Sequence, residues 1–279
     1  MILDRLLDDD AVWRRVLLFA PHPDDESLAA GGLLHRAVGR GAAVRVVFAT
    51  DGENNPWPQR LLERRWRIDA RARSRWGARR RAEALRALET LGVTSSSIRF
   101  LHLPDQGLAP LLLERDADAT ARLAAEIASM RPTLLVAPAI TDRHPDHSAL
   151  AVLLQLALAE LPSATRRCLR LAYVVHGRPV EPTAVRLLLT PLELARKRTA
   201  IGCHATQLAL SRRRFLAHAR IAEQFVEPSV ASPGHRVRHV DVDDVGVRLV
   251  LAPGTPRGLP MPATLDVVAL GVDSSVAGR

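Results

Sequence analysis

Short runs of strand-forming apolar residues alternate with segments of helical spacing from Arg15 to His176, and this alternation constrains the fold more than any other feature. Arg15 to Ala20 (RVLLFA) has the composition of a strand, and Glu26 to Gly39 then switches to helical spacing at Leu28, Leu33, Leu34 and Val38. Val44 to Thr50 (VRVVFAT) completes a βαβ unit and ends at Asp51-Gly52-Glu53, a turn signal. An Arg-rich, Trp-bearing insertion leads to a helix expected over 78–91 and closed by Gly92. Further strands are expected at 98–103, 133–138 and 169–176, and helices at 117–130 and 147–161. Such a chain folds as α/β, with a mostly parallel sheet, helices on both faces and right-handed crossovers.

In the doubly wound strand order 3-2-1-4-5, the loops after the first and fourth strands lie side by side at the switch point, where such folds place ligands. After Pro191 the pattern reads as two helices, to about Phe225. Beyond Arg236 the alternation in HVDVDDVGVRLVLAPG and again in ATLDVVAL predicts a β-hairpin or added strands. The expected division is a catalytic domain over 1–225 and a β-rich C-terminal extension over 226–279, packed on the same domain.

Composition bounds the function. With 279 residues, 47% of them hydrophobic, the chain has material for one sizeable core. The N-terminus has no basic region ahead of a long apolar run, and Val16 to Ala20 is too short to span a bilayer. Cys168 and Cys203 are expected as small buried hydrophobes in a reducing, cytoplasmic setting. The net charge of +9 is carried by arginine, since Lys197 is the one lysine. The densest run, Arg60 to Arg81, reads as a solvated helix face. Nucleic acid is not the expected partner, because aromatics make up only 4% of the chain and no nucleic-acid-binding module is present. Peripheral membrane contact is allowed by this run but not expected, and oligomeric state is left open.

The unusual residues fall in the two switch-point loops. The first is Pro21-His22-Pro23-Asp24-Asp25-Glu26, and the second is His144-Pro145-Asp146-His147. An imidazole and carboxylates straight after a buried strand need a partner, and a metal ion is one. His22, Asp25 and His147 make three ligands with an open position for water, as a catalytic zinc site requires, although another divalent metal would also fit. Asp24 is then placed as a general base beside the metal. His144, its ring oriented by Asp146, is placed to stabilise an oxyanion or protonate a leaving group. Ala30-Gly31-Gly32 does not make the dinucleotide fingerprint, so a dehydrogenase is not expected.

These motifs resemble the PIG-L/LmbE family of zinc-dependent N-acetylglucosamine-type de-N-acetylases. The family's A/P-H-P-D-D-E appears as Pro21 to Glu26 and its H-P-D-H as His144 to His147. Weaker agreement runs through Thr50-Asp51-Gly52-Glu53, Arg80-x-x-Glu83, Leu103-Pro104-Asp105, and Lys197 with His204 to Gln207. The resemblance covers Arg15 to Gln207 and implies a Rossmann-like fold with zinc-dependent hydrolysis of an N-acetyl or other N-acyl amide. It implies His22, Asp25 and His147 as ligands, Asp24 as base and His144 as oxyanion partner. Arg80, Asp105 and His204 are the corresponding substrate contacts, although Arg80 reads equally as a local ion pair with Glu83 and His204 as a satisfied polar residue, and a small-molecule, glycolipid or glycoconjugate substrate is expected.

Alternatives are an amidase acting on a thiol conjugate, or a non-catalytic anion-binding protein with a structural metal. His35, His176, His218, His235 and His239 fit no ligand spacing, and His102 flanks a strand. Trp57, Trp66 and Trp76 are either a platform for a sugar or lipid or packing within the insertion. Asp241, Asp243 and Asp244 read as the solvent side of a strand.

Overall fold

The computed structural model describes residues 7–178, 185–228, 237–243 and 246–251. The chain divides into two compact units, Met1–Val230 and Ala231–Arg279.

The first unit opens with β1 (Arg15–Ala20), α1 (Asp25–Gly39), β2 (Ala43–Thr50), α2 (Pro56–Glu63), α3 (Ala70–Thr90) and β3 (Ile98–Leu103). It continues through α4 (Leu108–Leu113), α5 (Ala117–Met130), β4 (Leu134–Pro138), α6 (Pro145–Ala159), α7 (Ser163–Arg166) and β5 (Leu169–Tyr173). It closes with β6 (Val185–Leu188), α8 (Pro191–Gly202), α9 (Ala205–Leu216) and β7 (Ala222–Phe225). Strands β1 to β5 form a parallel sheet in the order β3-β2-β1-β4-β5, the doubly wound order expected from sequence. The helices pack in two groups, α1 and α3 against α8, and α4 and α5 against α6.

The central strand explains its own composition. Val16 to Ala20 are fully buried, so both faces of β1 are apolar, as a parallel strand covered on both sides requires. Each such Val, Leu or Phe contributes roughly 1.5–3 kcal/mol by burial. Tyr173 donates its hydroxyl to the carbonyl of Phe19 at 2.9 Å, which ties the end of β5 to β1. Because β2 and β4 flank β1, the loops leaving β1 and β4 meet at the switch point.

Helix α1 is broken at Ala30, whose φ of −138° lies outside the helical range. The backbone N–H groups of Gly32 and Leu33 donate to the Glu223 carboxylate on β7, each at 2.8 Å. Lys197 on α8 pairs with the same carboxylate at 2.6 Å, and both side chains are buried. At Gly32 a Cβ would lie 2.4 Å from Leu189 Cδ2, so the second segment of α1 packs as closely as it does only with glycine there.

Three expectations are corrected. Helix α3 begins at Ala70, not near 78, because Asp69 caps it by accepting the Ala72 N–H at 2.7 Å. Its first two turns carry three exposed arginines, and their apolar stripe is only Ala72 and Trp76. The second helix after Pro191 ends at Leu216, and Ala222–Phe225 is a strand paired antiparallel to β6. Cys168 and Cys203 are free and half-buried, not buried. Among the described residues, no helix is long and apolar enough to cross a membrane.

The second unit contains β8 (Val237–Asp243) and β9 (Gly246–Leu251), an antiparallel hairpin as the alternation predicted. The strand expected at ATLDVVAL lies outside the described residues, as do Asp244 and the side chains of Asp241 and Asp243.

Candidate metal centre

Both switch-point loops deliver their side chains to one buried cluster. His22 leaves β1, and Asp24 and Asp25 open α1. Asp25 Oδ2 lies 3.3 Å from His22 Nδ1 and 3.2 Å from His147 Nε2, so the carboxylate sits between the two rings. All three side chains are buried, His147 completely. Ligand atoms of His22, His144 and His147 lie within 4.8 Å of one another, as do those of Asp25, His147 and His176.

Neither ring nitrogen of His147 has an aligned hydrogen-bond partner, although each lies 3.2 Å from a carboxylate oxygen. Buried imidazole nitrogens in that position want a ligand. Two imidazoles and a carboxylate are the donor set of a catalytic zinc centre, so the residues present fit the metal.

Each proposed imidazole ligand has a carboxylate behind it. His22 Nε2 lies 3.2 Å from Asp105 Oδ1 and 3.1 Å from Asp146 Oδ2, and His147 Nδ1 lies 3.2 Å from Asp142 Oδ2. Carboxylates so placed fix the tautomer and the ring orientation of metal-bound histidines. Burial alone would lower the basicity of His22, but hydrogen bonds to Asp105, Asp146 and Asp25 outweigh it and raise its pKa well above the usual value. Burial likewise works against ionisation of Asp105, yet His22 holds that carboxyl down at about 2.

The expected pairing of Asp146 with His144 is corrected. His144 Nδ1 accepts the backbone N–H of Asp146 at 3.2 Å. The Asp146 carboxylate is taken by His22 and by the backbone N–H groups of Gln106 at 2.7 Å and Leu108 at 3.1 Å. Burial and the neighbouring His22 and His147 lower the pKa of His144, which favours the neutral ring. With Nδ1 accepting, the neutral ring carries its hydrogen on Nε2.

Asp24 has φ 149°, a conformation that L side chains rarely adopt. Glu26 accepts its N–H at 2.9 Å, and its carboxylate lies 3.3 Å from Arg80 Nη2. Burial pushes the Asp24 carboxyl up to about 6 against the pull of Arg80.

Arg80 is buried and lines the cavity, with two of its N–H groups held by the protein and Nε left without a partner. It donates to the carbonyls of Gly52 and Pro23, each at 2.8 Å, and faces Asp24. It makes no pair with Glu83, whose carboxylate receives the Thr206 N–H and hydroxyl. His204 lies behind the site, 3.1 Å from Glu26 Oε1 and 3.2 Å from Ser27 Oγ. Gln207, not His204, lines the cavity.

That cavity, of about 280 Å³, opens over His22, Asp24, Asp25 and His144. Asn55, Gln207, Arg214 and Phe215 contribute to its wall.

Two residues escaped the reading of spacing. His176, just past β5, has its ring 4.8 Å from that of His147 and 5.1 Å from that of His144, and it lines the cavity. Burial pushes its pKa down to about 4. Asp142 accepts the N–H of Val175 at 2.7 Å and of His176 at 3.1 Å, which joins the β4 and β5 loops. The sequence signal for both was position at the carboxyl end of a strand beside the switch point.

Fold and site together define a Rossmann-like α/β protein with a buried histidine–carboxylate cluster at its switch point that could hold a metal ion. The chain belongs to the PIG-L family, described as GlcNAc-PI de-N-acetylase, which matches residues 17–158. A 1D-myo-inositol 2-acetamido-2-deoxy-α-D-glucopyranoside deacetylase of Mycobacterium sp. (strain KMS) is 35% identical over 147 residues, 48% of this chain and 46% of that protein. The chain thus spans about half the length of the curated relatives it matches.

Among solved structures, the N,N'-diacetylchitobiose deacetylase of Pyrococcus horikoshii superposes with TM-score 0.58 at 23% identity, over 77% of this chain and 84% of that one. A 4-carboxy-2-hydroxymuconate hydratase of Pseudomonas putida KT2440 superposes with TM-score 0.56 at 19% identity, over 88% and 100%. One fold therefore carries two reactions, and the site, not the fold, must argue the chemistry.

Proposed function

We propose that this chain hydrolyses the N-acetyl, or another N-acyl, amide of an N-acetylglucosamine-type sugar or its conjugate, with zinc held by His22, Asp25 and His147. The observation that carries this reading is the placement of Asp24. Its carboxylate lines the cavity next to the three-donor set, is fixed by Arg80 and is not one of those donors. Family membership and the deacetylase names of the relatives support the same reaction class.

When bound, zinc supplies a Lewis acid that polarises the acyl carbonyl and makes water more acidic. Asp24 takes a proton from the attacking water as its oxygen bonds to the acyl carbon. It returns that proton to the nitrogen as the C–N bond breaks, leaving a carboxylate and a free amine. The Nε2–H of neutral His144 is available to the oxyanion that develops on the acyl oxygen. Asp105 and Asp146 hold the His22 ring, and Asp142 faces the His147 ring. Arg80 restrains Asp24 while two of its N–H groups hold the Gly52 and Pro23 carbonyls, and it lines the cavity beside them.

Acetate release from a panel of N-acetylglucosamine conjugates, including an inositol glycoside, tests this together with elemental analysis. Asp24→Ala is expected to keep its metal and lose about 10²–10⁴-fold in turnover. Full deacetylation by that variant would overturn the assignment.

A further inference from the structure

The Arg-rich insertion after β2 carries a surface that the catalytic centre does not use. Trp57 and Leu61, one turn apart on α2, are 61% and 56% exposed, and Leu62 is 41% exposed. Trp66, just past the helix, is 78% exposed. The Arg60 guanidinium lies between the two indoles, 5.1 Å from the Trp57 ring centre and 5.3 Å from that of Trp66. The opposite side of α2 faces the protein, with Pro58 and Gln59 buried and Gln59 donating to the Ala72 carbonyl at 2.8 Å. The exposed indoles and leucines are therefore surplus to the core. Large apolar side chains clustered in water mark a contact site.

Charge identifies the partner. Between Trp57 and Arg79 the chain has eight arginines against Glu63 and Asp69. Both acids are engaged, Glu63 with Arg75 at 3.6 Å and Asp69 in capping α3. Arg64, Arg65, Arg67 and Arg71 are exposed around the apolar cluster.

We propose that this face docks on an anionic lipid surface. Tryptophan and leucine would enter the headgroup boundary while the surrounding arginines meet lipid phosphates. Nucleic acid would use the arginines and the indole faces but leave Leu61 and Leu62 without a partner. Asn55, which precedes α2, lines the catalytic cavity and donates to Gln207 at 3.3 Å. Docking through α2 therefore brings the cavity to the level of the headgroups, where an acylated sugar carried on a lipid would be presented.

The test uses the full chain with vesicles of phosphatidylcholine alone or with about one quarter phosphatidylglycerol. Of the four tryptophans, Trp13 and Trp76 are buried, so quenching by brominated lipid reports Trp57 and Trp66. The expected result is binding to anionic vesicles with quenched emission, weakening as salt rises from about 0.1 to 0.5 M. Trp57→Ala/Trp66→Ala should lower vesicle affinity about tenfold or more, followed by sedimentation, with an unchanged thermal transition. Arg65→Glu/Arg67→Glu should do the same while both indoles remain. Absence of binding to anionic vesicles at low salt overturns the proposal. So does retention of binding by both variants, or equal binding to a single-stranded oligonucleotide. A concentration-dependent dimer lost in Trp57→Ala/Trp66→Ala, without vesicle binding, would give the face to a second copy of the chain and overturn it too. None of these readouts depends on deacetylation.

Discussion

The Asp146 carboxylate lies 3.1 Å from Nε2 of His22, across the switch point from its own helix, while His144 beside it receives only the Asp146 backbone N–H. One residue thus serves two rings through two different groups. The backbone N–H survives mutation of the side chain and the carboxylate does not. Asp146→Ala should therefore lower zinc affinity by about 10–100-fold, the usual effect of removing a carboxylate behind a ligating histidine. His144→Ala should keep its metal and lose turnover. Competition against a chelating dye separates the two. Equal affinity in wild type and Asp146→Ala would remove Asp146 from the metal centre.

Gly52 is fixed by Arg80. It sits at φ +65°, and a Cβ there would fall 1.9 Å from Arg80 Nη1. Gly52→Ala must push the guanidinium off the Gly52 carbonyl and away from Asp24. Strain at the backbone and overpacking against a buried arginine should cost about 2 kcal/mol or more in a urea titration. Turnover should fall about tenfold or more as Asp24 loses its restraint, with metal content unchanged.

The strand order and the meeting of the two motif-bearing loops were legible because each rests on local signals. The β1 run is apolar on both faces, His22 comes two residues after it, and His147 stands in the first turn of α6, the helix that follows β4. Within the site, what was missed depends on contacts distant in sequence. His176 matches no ligand spacing and reaches the site only because β5 lies beside β4. The partner of Asp146 could not be read from neighbourhood, since His144 is two residues away and His22 is 124. The start of α3 was hidden because among its exposed arginines only Ala72 and Trp76 mark the buried side, too few to set a period. The strand β7 was lost inside a helical reading because its four residues are too few to set a period.

Asp142 joins three parts of the centre. Its carboxylate accepts the His144 N–H at 3.0 Å and those of Val175 and His176, and it faces the buried His147 ring. Asp142→Ala would strand these backbone donors and leave His147 Nδ1 without its carboxylate. A loss of about 1–3 kcal/mol in stability is expected from the unsatisfied groups. Zinc affinity should fall with it, by about 10–100-fold. Asp142→Asn keeps an acceptor oxygen and should recover most of the stability while remaining impaired in metal binding. Denaturation and dye competition on the two variants would expose a purely structural role if affinity followed stability in both.

Lys197 and Glu223 form a buried ion pair at 2.6 Å that also holds the break in α1, since Glu223 accepts from Gly32 and Leu33. Removing one partner leaves the other charge buried, at a cost of about 3–5 kcal/mol. Lys197→Met should therefore destabilise strongly. Glu223→Gln removes the charge but keeps one acceptor for the two N–H groups, so it leaves the lysine unpaired and the kink half satisfied. In the double variant neither charge remains, and the loss should be smaller than the sum of the single losses by about 1 kcal/mol or more. Urea titrations of the four proteins measure this directly. Additive losses would mean that Glu223 acts through the helix break alone and that Lys197 contributes only packing against Gly31, whose Cβ position lies 3.2 Å from Lys197 Cγ.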